Sequence, residues 1–142
     1  MSSDSPDKYR DYGLLLLRAG IGLMFVMVHG FPKVAGGAAV WAGLGKTFNS
    51  LWGVTFVPTF WGLMATAAEF GGGLCLIAGV LFRPACVLML MTMGVAVAAN
   101  VRGGYGFSGA SQALEMGVVF LSLIFTGPGK FTLPMRWAAR RR

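Results

Sequence analysis

Charged residues are absent from long stretches of the chain, and the residues in those stretches are mainly apolar. No Lys, Arg, Asp or Glu occurs in residues 47–68, 70–82, 84–101 or 116–129. A helix needs roughly 20 mostly apolar residues to cross a hydrocarbon layer about 30 Å thick. The pattern therefore predicts four transmembrane helices, over residues 13–31, 60–82, 85–101 and 110–126.

The apolar stretches are continuous, unlike the alternating apolar and polar residues of transmembrane strands. We therefore expect an all-α polytopic membrane protein whose four helices form an antiparallel bundle. Residues 1–12 precede this transmembrane domain of residues 13–126, and residues 127–142 form a basic tail.

The composition of the 142 residues agrees with a membrane environment. Hydrophobic residues make up 56% of the chain and charged residues 12%, with a mean hydropathy of +0.68, whereas soluble proteins average about 25% charged residues. These values exclude a water-soluble globular protein and a disordered chain. The first apolar stretch contains Arg18 and follows three aspartates, which is atypical of a cleaved signal peptide, so we expect this helix to be retained.

The distribution of basic residues predicts the orientation of the bundle. With both termini on one side, that side carries eight Lys and Arg residues and the other carries three, with Arg18 inside a helix. Basic residues are enriched in cytoplasmic segments, so we expect an inner (plasma) membrane protein with both termini in the cytoplasm. The net charge of +7 then serves mainly orientation and contact with anionic lipid head groups, and no nucleic-acid partner is expected.

Residues 32–59 form the only long connection between predicted helices. This segment is rich in glycine and alanine, has Lys46 as its one charged residue after Lys33, and contains four aromatic side chains, those of Trp41, Phe48, Trp52 and Phe56. We expect such a segment to lie flat in the outer membrane interface or to fold back over the bundle. Simple interfacial anchoring and a lid over a ligand site are both open.

Among the polar residues within or beside the predicted helices, six are candidates for a shared site: Arg18, His29, Lys33, Glu69, Asn100 and Glu115. An ionisable group at membrane depth costs about 3 kcal/mol and persists only when it is paired or used. Lipid satisfies none of the hydrogen bonds of these side chains, so we expect the polar side chains to face the interior of the bundle.

Their depths along the helices predict two groups. Arg18 and Glu69 are expected to form a buried ion pair or to share a small polar network. His29 and Lys33 end the first predicted helix on the outer side, where Asn100 and Glu115 are also expected, so those four side chains can cluster.

Two interpretations of these polar side chains are open. In the first, they are a structural clasp that fixes the order of the helices. In the second, they form a small-molecule or proton site that opens outward. Glu69 and Glu115 would then accept protons, and His29 or Lys33 would donate to an anionic or quinone oxygen. No residue is assigned a catalytic role.

The sequence shows no cofactor site of its own. Cys75 and Cys86 are eleven residues apart without a Cys-x-x-Cys spacing, so neither a redox dithiol nor a thiolate metal site is indicated. His29 is the single histidine, which excludes a haem held by two histidines of one chain. A haem held by His29 and a methionine stays open, but we expect the nine methionines to serve packing in the bundle. We therefore expect no metal, and a quinone is left open as a cofactor.

The polar residues and glycines occur in an order that resembles the DoxX family of small four-helix membrane proteins of bacteria and archaea. The residues that carry the resemblance are Arg18-x3-Gly22, His29-Gly30-x2-Lys33, Glu69-x2-Gly72-Gly73, Gly79-x3-Arg83, Glu115 and Gly127-Pro128-Gly129, within residues 9–133. The resemblance implies the fold predicted above, and it implies that Arg18, His29, Lys33, Glu69 and Glu115 belong to the polar core of the family.

The resemblance also implies a class of function, because relatives include the small subunit of a thiosulfate:quinone oxidoreductase and proteins associated with oxidative stress. We therefore expect a subunit or accessory of a quinone-linked membrane redox or oxidative-stress system, possessing a redox partner subunit and itself non-catalytic. A small-solute carrier and a purely structural or assembly protein are the alternatives. Beyond the lipid bilayer, a second copy of the chain is a further candidate partner.

Overall fold

A computed structural model describes residues 5–133 of the chain, and every regular element within these residues is helical. Helix α1 spans Ser5–Met24 and continues through a π-helical segment, Phe25–Gly30, into α2, Phe31–Trp52. Helices α3, α4 and α5 span Pro58–Ala78, Phe82–Arg102 and Gly106–Thr126. The prediction of an all-α fold is confirmed, while most of the predicted basic tail lies outside the described residues.

Within residues 5–133, four helical stretches are long and apolar enough to cross a membrane: the continuous stretch Asp7–Trp52, which bends, and helices α3, α4 and α5. The limits of α3, α4 and α5 lie within four residues of those predicted from the sequence. The chain is therefore a multi-pass α-helical membrane protein.

Short links join the helices into an antiparallel bundle whose described chain ends lie at one end. There, the backbone N–H of Leu133, after α5, donates to the carbonyl O of Ala78 at 3.0 Å. We call this end, with residues 11, 79–81 and 130, the terminal end. The opposite end, with the links 53–57 and 103–105, is the distal end.

The segment predicted as a long connection is mostly helix. Residues 32–52 belong to α2, which packs against α3, and only residues 53–57 are a non-helical link. The first helical stretch therefore does not end at Phe31 but bends at Gly37, whose φ of 58° and ψ of −150° lie outside the helical region. The indole N–H of Trp41 donates to the carbonyl O of Lys33 at 2.9 Å across this bend.

Glycines explain why a glycine-rich segment packs as a helix instead of forming a loop. Gly45 of α2 lies against the backbone of Pro58, and Gly62 of α3 lies against the backbone of Trp41. A Cβ atom at either glycine would overlap the facing backbone. The glycines thus allow α2 and α3 to approach to backbone contact, as small residues do between membrane helices.

The apolar core lies between α1, α3, α4 and α5 and includes Phe25, Leu76, Met89 and Phe120. The rings of Phe25 and Phe120 pack edge to face with their centroids 5.2 Å apart. Helix α5 packs against α4 through the residues that reach this core, and the opposite face of α5 is exposed.

Candidate functional site

Lys33 and Glu69 form an ion pair in the middle of the bundle, with the Lys33 ammonium donating to the Glu69 carboxylate. Glu69 is close to the midpoint of α3 and only 8% of its side chain is exposed, against 22% for Lys33. The prediction that Glu69 points into the bundle is confirmed. The predicted partner was wrong, because the Lys33 side chain, not that of Arg18, meets the carboxylate.

The error has a geometric cause. The depth estimate placed Lys33 at the outer end of a helix that stops at Phe31, whereas the helix continues and bends beyond Lys33. Lys33 therefore lies alongside the middle of α3. Arg18 lies about four turns earlier on the same helical stretch, beside the last turn of α3.

Arg18 is buried at the terminal end, where its Nη1 atom donates to the carbonyl oxygens of Leu76 and Ile77 at 3.3 and 3.4 Å. Carbonyls in the last turn of a helix lack partners within that helix, and a cation beside them is favourable. The guanidinium group packs against Gly79, where a Cβ atom would overlap it. This geometry gives Arg18 a structural role, because its guanidinium group caps carbonyl oxygens in the last turn of α3.

A cavity of about 420 Å³ lies between α2, α3 and α4 and contains the ion pair in its wall. Most of the lining side chains are apolar, and the polar ones include Lys33, Glu69, Asn100, Thr92 and Thr47. The Asn100 amide donates to the carbonyl O of Ala96 at 2.9 Å, and the Thr92 hydroxyl donates to that of Met89 at 2.8 Å. Three of the six candidate residues from the sequence therefore line one cavity.

Aromatic side chains border the distal part of this cavity. The Phe48 and Trp61 rings stack with centroids 4.5 Å apart, and the Trp61 indole N–H donates to the carbonyl O of Phe56 at 3.1 Å. On the lateral side, the lining residues Met64, Leu88 and Met91 are exposed. In a bilayer, that side of the cavity faces the acyl chains.

His29 and Glu115 lie apart from this cavity, so the four-residue cluster expected at one end of the bundle is not present. The His29 ring, on the π-helical segment, packs against the Phe25 ring at 4.9 Å. Glu115 is exposed and has no ion-pair partner among residues 5–133. The reason is the packing of α5, since Ala113 and Phe120 turn one face inward and leave Glu115 on the other.

Sequence reasoning missed Asp11, which is 2% exposed in α1. Its carboxylate accepts the backbone N–H of Lys130 at 3.4 Å and lies 3.6 Å from the Lys130 ammonium. Asp11 precedes Arg18 by seven residues, which places both on one helix face. This spacing could have indicated from the sequence that Asp11 is buried like Arg18. The sequence indicates Phe48 only as one of the aromatic residues of a segment in the membrane interface, and its stacking on Trp61 beside the cavity follows from the structure.

Among the described residues, no three His, Cys, Asp or Glu side chains lie close enough together to hold a metal ion. The polar groups of the cavity are a cation, a carboxylate, an amide and hydroxyls, and apolar walls surround them. This set can hold a small, largely apolar molecule and hydrogen-bond to its polar atoms.

Fold and site together define a multi-pass helical membrane protein with a charged pair in an intramembrane cavity. The model of the DoxX family matches residues 13–101. This match covers more than half of the chain, which therefore belongs to the DoxX family. The match includes α3, all of α4 except Arg102, and the seven residues that line the cavity with polar groups or aromatic rings. Helix α5 with Glu115 lies beyond it. Comparisons with curated proteins and with solved structures give no match.

Proposed function

We propose that this protein binds a quinone in the cavity between α2, α3 and α4, as a non-catalytic subunit or accessory of a membrane redox or oxidative-stress system. The observation that carries the proposal is the Lys33–Glu69 ion pair in the wall of an apolar cavity that faces the acyl chains. A quinone has an apolar ring and two carbonyl oxygens, and it reaches proteins from the bilayer.

The size and polarity of the cavity agree with such a ligand. Its volume of about 420 Å³ lies in the usual range of small-molecule sites, roughly 300–1,000 Å³. The Lys33 ammonium and the Asn100 amide are hydrogen-bond donors for the two carbonyl oxygens, and the Trp61 ring offers a flat apolar wall.

The charge of the site also favours a neutral ligand. Lys33 and Glu69 neutralise each other, so the cavity wall has no net charge when both are ionised. An added ion would need its own counter-charge in a medium of low dielectric constant, which is costly. A neutral molecule needs none, and it can share the proton donors of Lys33 while Glu69 stays paired.

A solute carrier is less well supported. Among the described residues, Arg18 and Lys33 are buried and half-buried cations of one helical stretch, and Phe25, a residue of the apolar core, lies between them along it. A carrier requires polar groups at successive depths, and this apolar layer interrupts them in the described part of the chain.

The redox role itself is inferred from DoxX membership and from the chemistry of the cavity. The chain would bind and orient the quinone, and a partner subunit would exchange electrons with it. This proposal expects the protein to copurify with a cofactor-bearing chain when it is extracted gently from its native membrane. The same proposal places the protein in the inner membrane with its terminal end, rich in Lys and Arg, in the cytoplasm.

The test is quinone binding to a variant that loses both charges together. Replacing Lys33 and Glu69 jointly by Gln keeps polar groups in place and leaves no unpaired buried charge. We expect at least about tenfold weaker binding of a tailed benzoquinone to nanodisc-embedded protein, whereas the control variant Glu115→Gln should bind normally. Undiminished binding by the double variant would contradict the proposal and favour a structural clasp.

A further inference from the structure

A second crevice, of about 260 Å³, lies beside the cavity on the lateral surface between α3 and α4. Its lining comes from α3, α4 and the turn between them, and it includes Ala67, Gly71, Cys75, Leu81 and Pro84. None of its lining residues belongs to α2, which covers only the first cavity.

The two spaces are adjoining parts of one surface feature. Met64, Ala68 and Leu88 line both of them. Ala68, which directly precedes Glu69 in α3, carries only a methyl group, and the flexible side chains of Met64 and Leu88 form the rest of the shared border.

The crevice leads from the ion pair toward the terminal end. From Ala68 to Cys75 it follows α3 for two helical turns, about 10 Å. Its floor contains Gly71, where an added Cβ atom would meet nothing within 4 Å. The space is therefore open because a side chain is missing there, and exposed neighbours such as Leu81 and Leu88 leave it accessible from the lipid.

We propose that this crevice receives the apolar tail of the molecule whose polar ring lies beside Lys33 and Glu69. The inference rests on the proposed function and narrows its ligand to quinones with a long apolar tail. The cavity supplies hydrogen-bond donors for the ring, and the crevice supplies an apolar path of about 10 Å that begins at the same residues. The tail takes the place of lipid chains along α3, so it adds affinity through packing rather than through transfer from water.

The first test fills the crevice and leaves the cavity intact. Gly71→Leu places a side chain in open space, and Gly94→Leu is the matched control, since a Cβ atom at Gly94 in α4 also meets nothing within 4 Å and Gly94 lines neither space. The probes are two fully substituted dimethoxybenzoquinones that carry either a methyl group or a decyl chain at one ring position. Binding is measured in nanodiscs of fixed lipid content, so partition into lipid is the same for every variant.

We expect Gly71→Leu to weaken binding of the decyl compound about tenfold and to leave binding of the methyl compound within about twofold. The control variant should bind both compounds as the unchanged protein does. If Gly71→Leu leaves the decyl compound unaffected, or weakens both compounds equally, the tail site is wrong while the quinone site stands. If the unchanged protein binds neither compound, the proposed function fails and the tail site with it.

A second measurement uses Cys75, which is half-buried at the far end of the crevice, as a reporter. Cys86 is fully buried in the core, so a lipid-soluble maleimide should label Cys75 first, and Cys75→Ser should remove that label. We expect the decyl compound to slow labelling at least about threefold and the methyl compound to leave the rate unchanged. Equal labelling rates with both compounds would overturn the tail site.

Discussion

At the scale of single residues, Asp11, Arg18 and Glu69 are the charged side chains that residues 5–133 bury, and they are stabilised in different ways. Glu69 has a full ion-pair partner in Lys33, and Asp11 has both an ammonium group and a backbone N–H from Lys130. Arg18 instead donates to carbonyl oxygens at the end of α3. The first of these arrangements borders the cavity of about 420 Å³, which is why the proposed site is placed there.

The ion pair predicts an asymmetry between single and double variants. Glu69→Gln leaves the Lys33 ammonium buried without a counter-charge, and breaking a buried pair in this way costs about 3–5 kcal/mol. Replacing both residues by Gln should cost clearly less than Glu69→Gln alone. Thermal unfolding of the detergent-solubilised variants checks this, and a double variant as unstable as the single one would contradict it.

Gly79 tests the position of Arg18. Gly79→Ala and Gly104→Ala both place alanine at a positive φ, 71° and 80°, but only the methyl group at Gly79 meets the guanidinium group. The backbone strain common to both is of order 1 kcal/mol. Gly79→Ala should therefore cost more by about 1.5 kcal/mol, the scale of a hydrogen bond to a charged group. Equal losses of unfolding free energy would show that Arg18 is not held there.

At the scale of helices, uninterrupted apolar stretches were sufficient to predict α3, α4 and α5. The continuation of the first helix beyond Phe31 could not be predicted in this way, because its glycines are equally typical of loops. Those glycines are explained only by the facing backbone of α3. The same limit applies to the site. Glu69 was recognisable as buried, but its partner depended on the continuation of the helix beyond Phe31, which places Lys33 beside the middle of α3.

The close contact between α2 and α3 predicts that replacement by leucine is tolerated at Gly43 but not at Gly45, although both lie in α2. Gly45→Leu would overlap the backbone of Pro58, whereas Gly43→Leu points into open space. Overpacking of a close contact costs about 1–3 kcal/mol, and separation of the two helices would also open the cavity. We expect a lower unfolding temperature and weaker quinone binding for the first variant alone. Similar behaviour of the two variants would argue against close packing of α2 on α3.

At the scale of the whole molecule, both described chain ends meet at the terminal end, and the cavity lies nearer the distal half of the bundle. The Asp11–Lys130 contact and the bond from Leu133 to Ala78 hold the chain after α5 against this end. A partner subunit that exchanges electrons with a bound quinone would have to approach the side formed by α2, α3 and α4. The exposed face of α5, with Glu115, is not required for the ligand.

The meeting of the chain ends predicts that tags at the N-terminus and the C-terminus occupy the same side of the membrane. Four crossings return the chain to its starting side, and the excess of basic residues at that end predicts that it is cytoplasmic. Protease treatment of spheroplasts should spare both tags, and treatment of inverted vesicles should remove both. Cleavage of only one tag in either preparation would contradict the four-crossing topology.

The most direct test of the quinone site is photolabelling with an azidoquinone, followed by mass spectrometry of the labelled peptides. The proposed site has Lys33, Trp61 and Met91 in its lining, so label should be found in α2, α3 and α4 near these residues. An excess of unlabelled decyl quinone should suppress this labelling. Label that is confined to α5, or that an excess of quinone does not reduce, would contradict a quinone site at the Lys33–Glu69 pair.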